Sequence, residues 1–254
     1  MNFKTNMTTS TLLAAGFSLL AGSAAAQTCV ANNCATLGFT KSEDNCEGDI
    51  IRCPFDTSKV FCKEKEVYVM RAGDILYSDG TTSDSVIASK TPVGIVAYVN
   101  DSTRFAVALT ESNQNQTWGA YGHDVSCLSY MDSDAASADM NGRVNTQCLV
   151  SDSETHPAAN YCNTFSAVSS GKGSSGWYLP AAGELKAMSF NYVAINLGLQ
   201  KLSKTQILSN FYWSSSEGND IDGYRDALTV RPSDGLPMNE YKDNRFHVRC
   251  VIAF

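Results

Sequence analysis

Arg245-Phe246-His247-Val248-Arg249-Cys250-Val251-Ile252-Ala253-Phe254 closes the chain. Phe246, Val248, Cys250, Ile252 and Phe254 fall on one face and Arg245, His247, Arg249, Val251 and Ala253 on the other, the period of two of a half-buried strand. Such an apolar face has to meet a core, so the earlier chain must supply one. His247 shares the outer face with Arg245 and Arg249 and is expected in solvent.

Working back from that strand, Pro180 opens a helix through Glu184, Leu185 and Met188, with Leu185 and Met188 three apart on the buried side. Pro157 opens another over Ala158 to Val168, since proline is tolerated in a first turn. Upstream, strands are expected at Glu66 to Met70, Asp74 to Tyr77, Pro92 to Val99 and Arg104 to Thr110, with a polar turn at Ser78 to Ser85. The last strand alternates Phe105, Val107 and Leu109 with Ala106 and Ala108. Glu111 to Ser126 and Met131 to Thr146 are rich in Asn, Asp, Ser and Gly and are expected as surface loops, with at most short helical turns. Strands, two helices and a terminal strand are thus expected in this order.

The first 26 residues carry one cation, Lys4, then the apolar run Thr11 to Gly22, then small residues ending Ala24-Ala25-Ala26. That order is expected of a secretory signal peptide cleaved before Gln27. The apolar run is shorter than the ~20 residues a membrane span needs, and no later segment resembles a span. An exported protein is therefore expected. The charge balance of 19 Lys plus Arg against 26 Asp plus Glu, net -7, repels phosphate backbones and anionic lipid, so nucleic acid is an unsuitable partner.

All nine cysteines lie beyond residue 26, and an oxidising compartment makes disulfides their default use. Five fall in residues 29 to 62 and four between 127 and 250, which suggests a small stapled β module over 27–63 and a larger domain over 64–254. No Cys-x-x-Cys occurs, so thiolate metal binding is not indicated. Ile50 to Phe55 and Lys59 to Lys63 form a hairpin around Asp56-Thr57-Ser58-Lys59. In that register Cys53 faces Cys62, within disulfide range. Cys34 with Cys46 is the natural second pair, leaving Cys29 odd, although five cysteines allow fifteen such arrangements.

Three motifs point to a family. Gly176-Trp177-Tyr178-Leu179-Pro180 with Glu184-Leu185, then Tyr212-Trp213-Ser214-Ser215-Ser216-Glu217, then Phe246-His247-Val248-Arg249-Cys250-Val251 resemble the hallmarks of the C-terminal domain family of the Legionella collagen-like protein. Members have a C-type-lectin-like domain and occur in exported bacterial proteins. The likeness covers roughly residues 118 to 254. It implies an α+β fold: two helices against a small antiparallel sheet, the terminal strand returning beside the first, and a long irregular segment on top. It also implies a disulfide from the first helix to the last strand, which falls on Cys162 and Cys250, and leaves Cys127 with Cys148 as candidates for a second.

Motifs for chemistry are incomplete. Gly171 to Gly176 matches Gly-x-Gly-x-x-Gly in letters, but a helix precedes it and Trp-Tyr-Leu-Pro follows, so it is no phosphate cradle. The Glu-Pro-Asn, Gln-Pro-Asp and Trp-Asn-Asp signatures of calcium-dependent lectins are missing, and Glu217 to Asp226 puts Gly218 and Thr229 where an EF-hand needs carboxylates. His123 and His156 fall in polar loops, and no Ser/His/Asp order can be assigned. No metal ligand, cofactor or catalytic residue is therefore expected. Recognition is expected on the irregular segment from Glu217 to Arg245, with Tyr224, Arg225, Tyr241, Asn244 and Arg245 as contacts to a glycan or protein. The expected function is a non-enzymatic exported binding or adhesion protein. The alternatives are a structural surface or appendage component, and an enzyme resembling formylglycine-generating oxidases, which share a related fold and need a reactive cysteine pair.

Overall fold

The computed structural model describes residues 49–53, 56–63, 67–218 and 224–254. The expected signal peptide, Cys29, Cys34 and Cys46 lie outside them, as does the stretch 219–223 of the acidic segment. The chain divides into two compact units, Met1–Tyr68 and Val69–Phe254.

In the first unit β1 (Asp49–Arg52) pairs antiparallel with β2 (Val60–Lys63), setting Ile50 against Cys62 and Arg52 against Val60. The turn is where the sequence put it, organised by Asp56, whose Oδ1 accepts from Ser58 N at 3.0 Å. The register is not. Cys53 N donates to Lys59 O at 3.0 Å, so Cys53 does not face Cys62. β1 ends at Arg52, and Pro54 and Phe55 of the expected strand lie outside the described residues. Cys53 is buried and disulfide-bonded, but the opposed geometry that paired it with Cys62 is absent.

The second unit is α+β. Its main sheet has six antiparallel strands: β3 (Ile75–Tyr77), β4 (Thr82–Ser83), β5 (Pro92–Val99), β6 (Arg104–Ala108), β8 (Trp177–Tyr178) and β13 (Val251–Ala253), in the order β4-β3-β5-β6-β13-β8. Alternation along β6 buries both faces. Phe105 and Val107 join one core with Leu185, Met188, Ile195 and Leu199, which belong to α4 (Ala182–Ser189) and α5 (Tyr192–Lys201). Ala106 and Ala108 join another with Leu149 of α2 (Gly142–Ser151), Ala158 and Cys162 of α3 (Pro157–Thr164), and all three tryptophans. A smaller sheet, β11-β10-β9, is made of β9 (Tyr212–Glu217), β10 (Asp226–Val230) and β11 (Pro237–Tyr241). A two-stranded ladder joins β7 (Gln116–Thr117) to β12 (Arg245–Phe246), and α1 (Ser133–Ala136) is one short turn. Disulfides join Cys162 to Cys250 (Cα–Cα 5.3 Å) and Cys127 to Cys148 (Cα–Cα 6.0 Å). Among the described residues no helix is long and apolar enough to cross a membrane.

Several local expectations are corrected. Residues 67–70 form no strand, and Val67 and Val69 stand exposed with no neighbouring ladder. The two polar loops contain β7, α1 and the first half of α2, and five helices are present among the described residues in place of two. The helix from Pro157 stops at Thr164, and the segment expected to be irregular carries the β10–β11 hairpin. The closing strand is broken into β12 and β13. Between them the carbonyls of Val248 and Cys250 accept from Ser112 N (3.0 Å) and Ala108 N (2.9 Å) outside any regular ladder. This bend turns Arg249 inward: the side chain is 1% exposed, and its Nε donates to Ala108 O at 2.9 Å. His247 is half-buried beside Tyr212.

Candidate binding surface

Past β10 and β11 the backbone turns alternate residues outward and inward. Tyr241 points out and Lys242 points in. Tyr241 stands edge-on to Tyr121 (ring centroids 5.6 Å), and the Arg225 guanidinium lies 5.8 Å from the Tyr241 ring. Next to Arg225, Tyr224 packs on Tyr130 at 5.3 Å. Tyr121, Tyr130, Tyr224 and Tyr241 are 41–51% exposed, so two accessible tyrosine pairs, linked along the chain at Tyr224 and Arg225, make up a tyrosine row. Tyr224 holds φ at +66°, a left-handed conformation costly for a bulky residue and often retained at functional sites.

Beneath the row, Lys242 and Glu217 make an ion pair with no side-chain exposure. The Lys242 ammonium also donates to His123 O at 2.6 Å and lies 5.0 Å from the Trp118 ring. Burial pushes the Glu217 carboxyl up, against the pull of Lys242. Glu217 Oε2 has no hydrogen-bond partner among the described residues. The pair therefore fixes the base of the row at a desolvation cost.

Below it three side chains meet at the corner between α2 and α3. Asp152 is the C-cap of α2 and His156 the residue before Pro157 of α3. Asp152 Oδ2 lies 2.5 Å from His123 Nε2 and 3.0 Å from His156 Nε2. Their ligand atoms all fall within 4.8 Å of one another, a set able to hold a metal ion. Burial opposes ionisation of Asp152, but His156, the Glu154 N–H, His123 and the Ser153 N–H, all around the carboxylate at hydrogen-bond distance, outweigh it and hold the carboxyl below its ordinary range.

Of the residues expected at the site, Tyr224, Arg225 and Tyr241 come together in the row. Asn244 and Arg245 sit at the following turn, where Asn244 Nδ2 donates to Glu240 Oε2 (3.2 Å) and Arg245 Nη1 to Asn115 O (3.3 Å). Tyr121 and Tyr130 join from a loop more than ninety residues upstream, which no local pattern signals. His156, expected in a polar loop, is fully buried. The one sequence hint of its partnership is the four-residue step from Asp152, one helical turn in length. The Gly171 to Gly176 loop leads into β8, not a helix N-terminus, and Gly173 O accepts from Trp177 Nε1 at 2.8 Å. Compared with models of known protein families and with curated proteins, the chain finds no match.

Proposed function

We propose that this chain is an exported, non-enzymatic binding protein whose second unit is a C-type-lectin-like domain, with the tyrosine row as its recognition surface. The observation that carries this reading is the row itself: exposed aromatic faces, phenolic hydroxyls and one guanidinium, set on a frame crossed by two disulfides. Aromatic and Arg side chains dominate recognition hot spots, and an open row of exposed rings suits a glycan ring or a protein loop better than an enclosed small molecule. The Cys162–Cys250 and Cys127–Cys148 bonds, the helices packed on an antiparallel sheet, and the three sequence motifs support the lectin-like assignment. They also favour a non-enzymatic role, because an oxidase of the formylglycine-generating kind needs a reactive thiol pair and these four sulfurs are bonded to one another. Disulfides suit an oxidising destination outside the cytoplasm.

A glycan and protein array probed with and without chelator tests the function. Tyr241→Ala and Tyr121→Ala are expected to weaken any captured ligand by at least about tenfold, as loss of a hot-spot aromatic does. Capture that both variants leave unchanged would remove the row from the function. The odd cysteine count favours one second reading, a structural component cross-linked between chains. A ladder of species collapsing on reduction would support it, and a concentration-independent monomer would oppose it.

A further inference from the structure

The corner between α2 and α3 carries an inference beyond ligand recognition. His156 Nδ1 lies 3.2 Å from the carbonyl oxygen of Trp118. A carbonyl only accepts, so Nδ1 carries the ring proton and a neutral ring presents its lone pair at Nε2. That lone pair faces Asp152 Oδ2, itself an acceptor, at 3.0 Å. Two acceptors at this distance need a cation or a proton between them. A second ring nitrogen, His123 Nε2, converges on the same oxygen, so a single cation set among the three atoms would serve both rings at once. The ring of His156 is also locked in place. Trp118 stands edge-on to it at 5.1 Å, and a Cβ on Gly119 would come within 2.7 Å of Nδ1, so only glycine fits there. Metal-binding histidines are commonly oriented in this way, with the far nitrogen donating to a backbone carbonyl.

We propose that His123, Asp152 and His156 form a divalent transition-metal site, zinc being the expected ion. Two imidazoles with one carboxylate suit zinc or its borderline-soft neighbours and disfavour calcium and magnesium, which prefer oxygen. Bonds of about 2.0 Å place tetrahedral ligands about 3.3 Å apart, so the two oxygen–nitrogen separations of 2.5 and 3.0 Å need to open by less than about 1 Å. The His123 side chain is 24% exposed, so the cluster reaches solvent on that side. The metal would tie the loop bearing Tyr121 and His123 to α2, as the neighbouring Cys127–Cys148 bond already does. The site stands whether or not the tyrosine row binds anything.

The test uses the full chain without a polyhistidine tag, stripped with chelator and titrated with Zn2+ by calorimetry and with Co2+ by visible absorption. One equivalent is expected to bind, with a cobalt spectrum lacking thiolate charge transfer. Removing even an outer-shell partner costs about 10–100-fold in metal affinity, so His123→Ala and Asp152→Asn are expected to cost about 100-fold or more. His156→Asn should do the same, since its amide keeps a donor for the Trp118 carbonyl. Disulfide mapping confirms that each variant is folded, and the partly exposed His123→Ala carries the test should His156→Asn fail to fold. Absence of stoichiometric binding, binding indifferent to His123→Ala and Asp152→Asn, or a thiolate spectrum would overturn the site.

Discussion

Glu184 shows what single buried groups contribute. It is 3% exposed, its Oε2 accepts from Ala181 N at 2.8 Å and its Oε1 from the Tyr178 hydroxyl at 2.9 Å. Ala181 has no side-chain acceptor, so only the Glu184 half of a capping box closes the start of α4. Burial pushes the Glu184 carboxyl up from 4.5 to about 8, with the hydrogen bonds from Ala181 and Tyr178 pulling back. The sign follows from linkage. Below pH 4.5 both states hold the proton; between 4.5 and 8 the unfolded chain has released it while the folded one has not; above 8 both are ionised. Stability should therefore fall as pH rises from 4.5 towards 8, by up to about 1.4 kcal/mol per pH unit from this group. Glu184→Gln keeps an acceptor for Ala181 and cannot ionise. Denaturant unfolding of both proteins at pH 5 and pH 9 is expected to give a smaller loss in the variant, and an identical loss would mean that Glu184 does not titrate in the folded state. Glu217 is raised by burial as well, so the comparison must be with the variant and not with a flat line.

At the scale of elements, α2 explains much of what was hidden in the sequence. Its residues GRVNTQCLVS include Asn, Thr and Gly, which favour turns over helix, and much of its buried face is polar. Asn145 Nδ2 donates to Asp139 Oδ2 (2.8 Å), and Thr146 Oγ1 accepts from Leu179 N (3.0 Å). A pattern search for apolar residues every third or fourth position passes over such a helix. β5 and β6, by contrast, were legible because their alternation is apolar on both faces. The closing strand was legible in period but not in course, since no local signal announces the bend at 247–250. The same asymmetry governs the site. Tyr224, Arg225 and Tyr241 lie in the segment singled out from the sequence, while Tyr121 and Tyr130 beside them, and His123 beside the Asp152–His156 step, are brought there by tertiary packing. Gly142 makes α2 testable. Alanine is ordinarily worth about 1 kcal/mol over glycine within a helix. Here, however, a Cβ would lie 2.2 Å from Glu184 Oε2 and 2.6 Å from Ala181 N. Backbone that close cannot yield cheaply, so Gly142→Ala is expected to destabilise by about 1–3 kcal/mol, the usual cost of overpacking. An unchanged or raised melting temperature would show that α2 sits farther from α4 than described.

For the molecule as a whole, the two disulfides of the second unit do different work. Cys162–Cys250 closes a separation of 88 residues, for which the chain-entropy model predicts roughly 4 to 5 kcal/mol. Cys127–Cys148 closes 21, predicting roughly 3 kcal/mol. Both figures are upper values, since native strain subtracts. The long bridge lies within the core that holds Trp118, Trp177 and Trp213, the only tryptophans in the chain, so their fluorescence reports unfolding of this unit. The short bridge instead ties the loop of Tyr121 and His123 to the end of α2, beside Asp152. Cys162→Ala/Cys250→Ala is therefore expected to shift the denaturant midpoint furthest. Cys127→Ala/Cys148→Ala should cost less stability and more affinity, loosening the metal and whatever the tyrosine row captures. Reversed ranks in the two measurements would place the mechanical clamp on the loop and not in the core. A core-clamped frame carrying a separately stapled loop would then be the wrong description of how this unit presents its surface.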